Sequence, residues 1–201
     1  ATRSELNLTL RPETFKRVKA SGLRANPRIT LEPGRYQIRI GARDSVATQV
    51  GTVFYDLHVP DFRKDPLMLS GLLLTVSSAQ HAMTVLPDPG TARLLPWPAT
   101  SRRTFPSSDT LTVFAEVYDN MSPRQARQIE TAVTLTSEDG KEVFNARDSI
   151  ANGGQGAERW TAYGLTRDVP LKDVPPGRYL LRIEARARDN KSTAVRETLI
   201  T

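Results

Sequence analysis

Histidine is the side chain best suited to moving protons near neutral pH, and the chain holds two, His58 and His81. His58 falls on the outward side of a strand pattern and His81 in a polar stretch, and neither has a motif partner. A serine nucleophile needs a turn that presents it or an adjacent base, and no Gly-x-Ser-x-Gly occurs. Gly153-Gly154-Gln155-Gly156 comes nearest to a phosphate loop, but no Lys-Ser/Thr follows it, which leaves a flexible loop. With no cysteine, disulfides and thiolate metal sites are excluded. Oxygen ligands for calcium are available in Asp44, Asp119-Asn120 and Asp189-Asn190, each at the end of a strand pattern. Asp and Asn also close turns by bonding their own backbone, and that reading is preferred. The expectation is no enzyme activity, no catalytic residue, no metal and no cofactor.

What remains is contact chemistry. The net charge is +6. Residues 1–66 carry 12 Lys and Arg against 7 Asp and Glu, while residues 67–201 carry 16 against 15. The surplus concentrates in Arg11, Lys16, Arg17, Lys19, Arg24 and Arg28, opposed locally by Glu13. Such a cluster suits an anionic partner or membrane surface; the plainer reading is a solvated face. No nucleic-acid motif accompanies it, so no nucleic acid is expected. Trp97, held between Pro96 and Pro98, is a candidate anchor because tryptophan buries a large rigid area at small entropic cost. The alternative is a tryptophan folded back over the sheet edge.

The elements that must position these residues announce themselves by a repeat. Pro33-Gly34-Arg35-Tyr36 recurs as Pro176-Gly177-Arg178-Tyr179, 143 positions on. Each copy leads into alternation: Tyr36, Ile38 and Ile40 against Arg35, Gln37 and Arg39, then Tyr179, Leu181, Ile183 and Ala185 against Arg178, Arg182, Glu184 and Arg186. Period two marks a half-buried antiparallel strand. Further strands are expected over residues 5–10 (Leu6, Leu8 and Leu10 inward), 28–31, 52–59, 69–76, 109–119, 128–137, 141–146, 160–169 and 194–200. Residues 12–21 read as a short helix, with Pro12 in the first turn and Gly22 as the stop. Residues 60–66 hold two prolines and four charges and mark a boundary. The fold class is therefore all-β, with two immunoglobulin- or fibronectin-III-like β-sandwich units. Residues 1–66 form an incomplete one and residues 67–201 a complete seven-stranded one.

The phrases Leu-Glu-Pro-Gly-Arg-Tyr-Gln-Ile-Arg-Ile-Gly-Ala-Arg-Asp (31–44), Val-Gly-Thr-Val-Phe-Tyr-Asp-Leu-His-Val-Pro-Asp-Phe (50–62), Phe-Ala-Glu-Val-Tyr-Asp-Asn (114–120) and Pro-Leu-Lys-Asp-Val-Pro-Pro-Gly-Arg-Tyr (170–179) carry a likeness. With them, nearly the whole chain resembles the C-terminal portion of VWFA-related domain proteins common in Acidobacteria. The resemblance implies an exported protein: periplasmic, cell-surface or secreted. The Asp-x-Ser-x-Ser metal element of von Willebrand A domains does not occur in these residues, so metal-dependent adhesion is not implied. The Pro-Gly-x-Tyr element is similar to the tyrosine corner of fibronectin-type sandwiches, a folding device.

Hydrophobic and charged fractions of 38% and 25% are globular values. The longest apolar run, residues 67–76, is too short to span a membrane. A first residue of Ala1 points to a processed product or a fragment. The function expected is a non-catalytic extracytoplasmic structural or interaction module, a subunit or fragment of a larger assembly with a protein partner or self-assembly. Alternatives are an accessory subunit docked on a membrane complex, and a carbohydrate-binding module, for which two tryptophans make a poor platform. Leu6, Leu8, Leu10, Ile29, Leu31, Tyr36, Ile38, Ile40, Val53, Tyr55 and Leu57 make an apolar set too large for about four strands to enclose. That set is expected to be completed from outside residues 1–66.

Overall fold

The computed structural model describes residues 7–43, 48–85, 87–121, 128–151, 161–189 and 191–201. The chain is mostly β, in several antiparallel sheets. Asp44, Leu86, Trp160, Asn190 and the glycine cluster at 153–156 lie outside the described residues, as does Leu6.

Two four-stranded sheets close over one core. The strands of the first are β4 (Leu67–Leu69), β5 (Leu73–Val76), β7 (Thr110–Asp119) and β10 (Thr161–Pro170), with β7 central between β10 and the β4/β5 edge. The second runs β12 (Thr193–Ile200), β11 (Tyr179–Ala187), β8 (Gln128–Ser137) and β9 (Glu142–Ala151). Alternation decides which side faces in. Leu111, Val113, Ala115 and Val117 of β7 meet Ile129, Val133 and Leu135 of β8 and Leu181, Ile183 and Ala185 of β11, all buried.

The expected single strand over residues 69–76 is two. Leu69 pairs with Val117 and Leu73 with Phe114, so three residues on one side oppose two on the other. Ser70 fills this bulge: its amide donates to the Glu116 carbonyl at 2.9 Å, and its hydroxyl accepts from the Glu116 amide at 2.9 Å. The β8–β9 hairpin forms around the expected turn, where Gly140 sits at φ +82, a conformation that favours glycine. Strand β9 runs on to Ala151, past the expected strand end at residue 146, because Ala132, Thr131, Glu130 and Ile129 continue the ladder opposite it.

The N-terminal third departs further from expectation. Helix α1 (Pro12–Ser21) forms as expected, but it buries no residue, and Phe15 is 52% exposed. Residues 7–10 form no strand and Leu8 is 41% exposed, so the expected inward leucine row is corrected. Residues 28–31 are not a strand either. The strand in this region is β1 (Leu23–Ala25), which pairs in parallel with β6 (Met83–Val85), and a helical turn α2 (Pro89–Ala92) follows β6. Alternation alone does not make a strand; a partner with free backbone groups does, and residues 83–85 offer theirs to residues 23–25.

Strands β2 (Gly34–Arg43) and β3 (Val50–Val59) make a separate two-stranded hairpin. Its base is fastened. The Asn120 side-chain amide donates to the Phe62 carbonyl at 2.6 Å and the Asp65 carbonyl at 2.8 Å, and the Asn120 backbone amide donates to Pro66 at 3.0 Å. The Phe62 ring leans on Tyr118 at 5.0 Å between centroids.

Tyr118 also donates to a Glu116 carboxylate oxygen at 2.5 Å. Burial first, and then this carboxylate, push the Tyr118 phenol above its ordinary value of 10.0. The folded group thus holds its proton more tightly than the unfolded one. Its contribution to stability is complete below pH 10.0 and is lost as pH rises beyond that value. Spectrophotometric titration is expected to show a late tyrosine ionisation that Tyr118→Phe removes and Glu116→Gln moves to lower pH. A titration curve whose late phase Tyr118→Phe leaves unchanged would contradict it.

Candidate interaction surface

The two copies of Pro-Gly-Arg-Tyr build the same local structure. The Tyr36 hydroxyl donates to the Glu32 carbonyl at 2.8 Å and the Tyr179 hydroxyl to the Pro175 carbonyl at 2.6 Å, each four residues back. Each ring lies over its glycine: a Cβ built on Gly34 would sit 3.4 Å from Tyr36, and one on Gly177 would sit 3.5 Å from Tyr179. The likeness continues through the next strand in strict register. Tyr36 pairs with Leu57 and Arg43 with Val50, as Tyr179 pairs with Ile200 and Arg186 with Thr193. The offset of 143 positions therefore holds along both strands of both hairpins.

Directly opposed residues share a face. One face of the β2–β3 hairpin carries Tyr36 and Leu57, Ile38 and Tyr55, and Ile40 and Val53. The matching face of β11–β12 is closed by the β4/β5–β7–β10 sheet, leaving Leu181, Ile183 and Ala185 fully buried. On the first hairpin Ile40 is 59% exposed, Val53 62% and Tyr55 60%. No third strand joins β2 among the described residues. A lone hairpin is marginal in water; on this face Ile40, Val53 and Tyr55 are exposed together, while Tyr36, Ile38 and Leu57 are half-buried.

The other face is basic. Arg35, Arg39 and Arg43 line it, with Asp56 the acidic residue among the described residues of the two strands. Gln37 donates to Asp56 at 3.3 Å and accepts from Arg39 at 2.9 Å. The Arg39 guanidinium lies over the Phe54 ring at 5.5 Å. Two of the corresponding arginines meet carboxylates, Arg178 with Glu138 at 3.1 Å and Arg182 with Glu197 at 2.6 Å; Arg186 stands opposite Glu130 of β8, whose carboxylate lies 2.6 Å from Arg188.

The basic candidates named from sequence do not converge. Arg11 precedes α1, and Lys16, Arg17 and Lys19 lie exposed on it, Lys16 at 3.6 Å from Glu13. Arg24 turns inward, donating to the Thr84 hydroxyl at 3.1 Å and the Ala79 carbonyl at 2.8 Å. Burial and nearby Arg102 lower its pKa. Arg28 reaches Asp88 at 3.8 Å. Arg24 thus ties residue 24 to residues 79–84, while Arg28 stays exposed beside Asp88. Trp97 is 39% exposed, half-way between the two readings given it.

His58 is exposed opposite Arg35, and His81 is exposed at the end of a short 3-10 turn. Asp119 accepts from the Met121 amide, and Asn120 holds the linker as described, so both do backbone work. Among the described residues no three His, Asp or Glu side chains come together as a metal cluster. No helix among them is long and apolar enough to cross a membrane.

Sequence reasoning singled out the alternating apolar set but not the arginine row on the opposite face. The signal for that row was present, since Arg35, Arg39 and Arg43 recur as Arg178, Arg182 and Arg186 at the same offset.

No family model matches the chain, and no curated protein matches it. Among solved structures it is similar to a β-glucuronidase of Bacteroides uniformis, at 14% identity and a TM-score of 0.43 over 75% of this chain and 16% of that one. It is also similar to the C-terminal domain of wzt, at 10% identity and a TM-score of 0.45 over 84% of this chain and 80% of that one. The chain thus spans about a sixth of the glucuronidase. At these scores the likenesses carry no argument about function.

Proposed function

We propose that the chain is a non-catalytic structural or interaction module that works outside the cytoplasm and joins a larger assembly through its first hairpin. Residues 67–201 are read as a fibronectin-III-like sandwich, a three-position sheet facing a four-stranded one. The β2–β3 hairpin is read as the last two strands of a second, incomplete unit. The resemblance to the VWFA-related proteins supports an exported setting. The observation that carries the reading is the contrast between two hairpins of identical register, one buried on its apolar face and one exposed there at Ile40, Val53 and Tyr55, with Tyr36, Ile38 and Leu57 half-buried.

Hydrogen exchange on residues 1–201 tests it. Amides of residues 34–59 are expected to exchange far faster than those of residues 179–200, which open only with the whole sheet. Equal protection of the two hairpins in a monomer would remove the case for a contact site.

A second reading rests on α1, which presents Lys16, Arg17, Lys19 and an exposed Phe15 while burying nothing. It makes the protein an accessory subunit seated against an anionic membrane surface or complex. Co-sedimentation with anionic vesicles, lost at high salt, separates it from the first.

A further inference from the structure

We propose that the edge of β2 left unpaired among the described residues accepts an antiparallel strand from a polypeptide outside residues 1–201, in which apolar residues alternate with acidic ones, and that this strand belongs to a sheet that then closes over Tyr36, Ile38, Ile40, Val53, Tyr55 and Leu57. The proposal rests on the interaction-module reading and adds the partner's chemistry.

The second hairpin supplies the template. On it, the edge equivalent to this one of β2 is occupied by β8, which pairs antiparallel with β11 from Tyr179 opposite Ser137 to Ala187 opposite Ile129. The inward residues of β8 are Leu135, Val133, Thr131 and Ile129, all buried, and they extend the apolar layer of β11. Its outward side answers the arginines of β11. Glu138, one residue beyond the strand end, lies 3.1 Å from Arg178, and Glu130 stands in register with Arg186, its carboxylate 2.6 Å from Arg188 two residues on. Arg35 and Arg43 stand where Arg178 and Arg186 stand, and nothing acidic faces them on β3, where His58 opposes Arg35 and Val50 opposes Arg43. The occupant therefore needs carboxylates facing Arg35 and Arg43, and apolar side chains opposite Ile38 and Ile40. Opposite charges on directly facing residues stabilise a strand pair, and like charges weaken it. A strand laid on a sheet edge gains main-chain hydrogen bonds whatever its sequence, so the side-chain alternation supplies the selectivity.

A second copy of this chain fits poorly. Antiparallel pairing of β2 with β2 about Arg39 sets Arg39 against Arg39 and Arg35 against Arg43. The strands of a second copy that match the template are already committed to its own core, with Leu135, Val133 and Ile129 buried on β8.

The test uses the full chain and two synthetic decapeptides, one alternating valine with glutamate and the other valine with lysine. Hydrogen exchange of the chain alone gives the baseline that decides the interaction-module reading. Given an exposed hairpin, the glutamate peptide is expected to slow exchange in β2 and to bind at least about tenfold more tightly than the lysine peptide, as expected for several facing charge pairs. The combined Arg35→Glu, Arg39→Glu, Arg43→Glu chain is expected to reverse that preference while leaving protection of residues 179–200 unchanged. Binding of neither peptide, or of both equally, overturns the proposal with the broader reading intact. A dimer that protects residues 34–59 by itself overturns it in favour of a second copy.

Discussion

Ile183→Ala is expected to destabilise the protein by about 3 kcal/mol, and Ile40→Ala by less than about 0.5 kcal/mol. The two isoleucines are related by the 143-position offset and occupy the same place in strands that begin with the same tyrosine bond. Ile183 is fully buried, paired with Val133 of β8 and facing the opposite sheet, so its truncation leaves a cavity that close-packed neighbours fill only in part. Ile40 is opposed by Val53 and is 59% exposed, so removing its methyl groups takes little surface out of a nonpolar setting. For a unit of this size the difference should appear as a lowering of Tm by roughly 10 °C for the first variant and almost none for the second. Urea and thermal unfolding measure both. Equal costs would mean that the first hairpin is covered within the chain itself. Once an occupant is bound, the burden of Ile40→Ala is expected to move into affinity.

This contrast marks how far the sequence could be read. Strands with a complete alternation and a partner close by, such as β7, β8 and β11, stood out because burial on one face is written into every second residue. The same alternation in the first hairpin was equally plain, but a strand's own sequence does not say what lies over it. Leu8 and Ile29 illustrate the converse: apolar residues in an alternating or β-rich stretch that stay exposed because no ladder is available to them. The β1–β6 pairing was illegible for a different reason. It is three residues long, parallel, and spans some sixty positions, so it has no local periodicity to give it away. The inward turn of Arg24 was illegible because nothing in its neighbourhood in the sequence hints at Thr84 or Ala79. The arginine row at 35, 39 and 43 was legible through the repeat, since Arg178, Arg182 and Arg186 show the same spacing, the first two with carboxylates attached.

Asp109→Ala is expected to cost about 2–3 kcal/mol, the range for losing hydrogen bonds to a buried carboxylate. Asp109 stands one residue before β7 and is itself buried. Its carboxylate accepts from the Ser78 hydroxyl at 2.5 Å and the Ser77 hydroxyl at 3.2 Å, which fixes the chain where it leaves β5. Its backbone does the same for two other points: the amide donates to Pro106 at 3.1 Å, and the carbonyl accepts from Leu171 at 3.1 Å, just past the end of β10. One residue therefore ties the exit of β5, the entry of β7 and the exit of β10, all at one end of the first sheet. Asp109→Asn keeps the shape and one acceptor oxygen, so it should recover about half of the loss. Ser78→Ala removes a single donor and is expected to cost about 1 kcal/mol. A double-mutant cycle between positions 78 and 109 isolates the shared term. Because Asp109 touches nothing in the β2–β3 hairpin, exchange of residues 34–59 should be the same in Asp109→Ala as in the parent chain under folded conditions. An Asp109→Ala protein within about 0.5 kcal/mol of the parent would mean that water replaces the carboxylate, and that this end of the sheet is held by its backbone ladder alone.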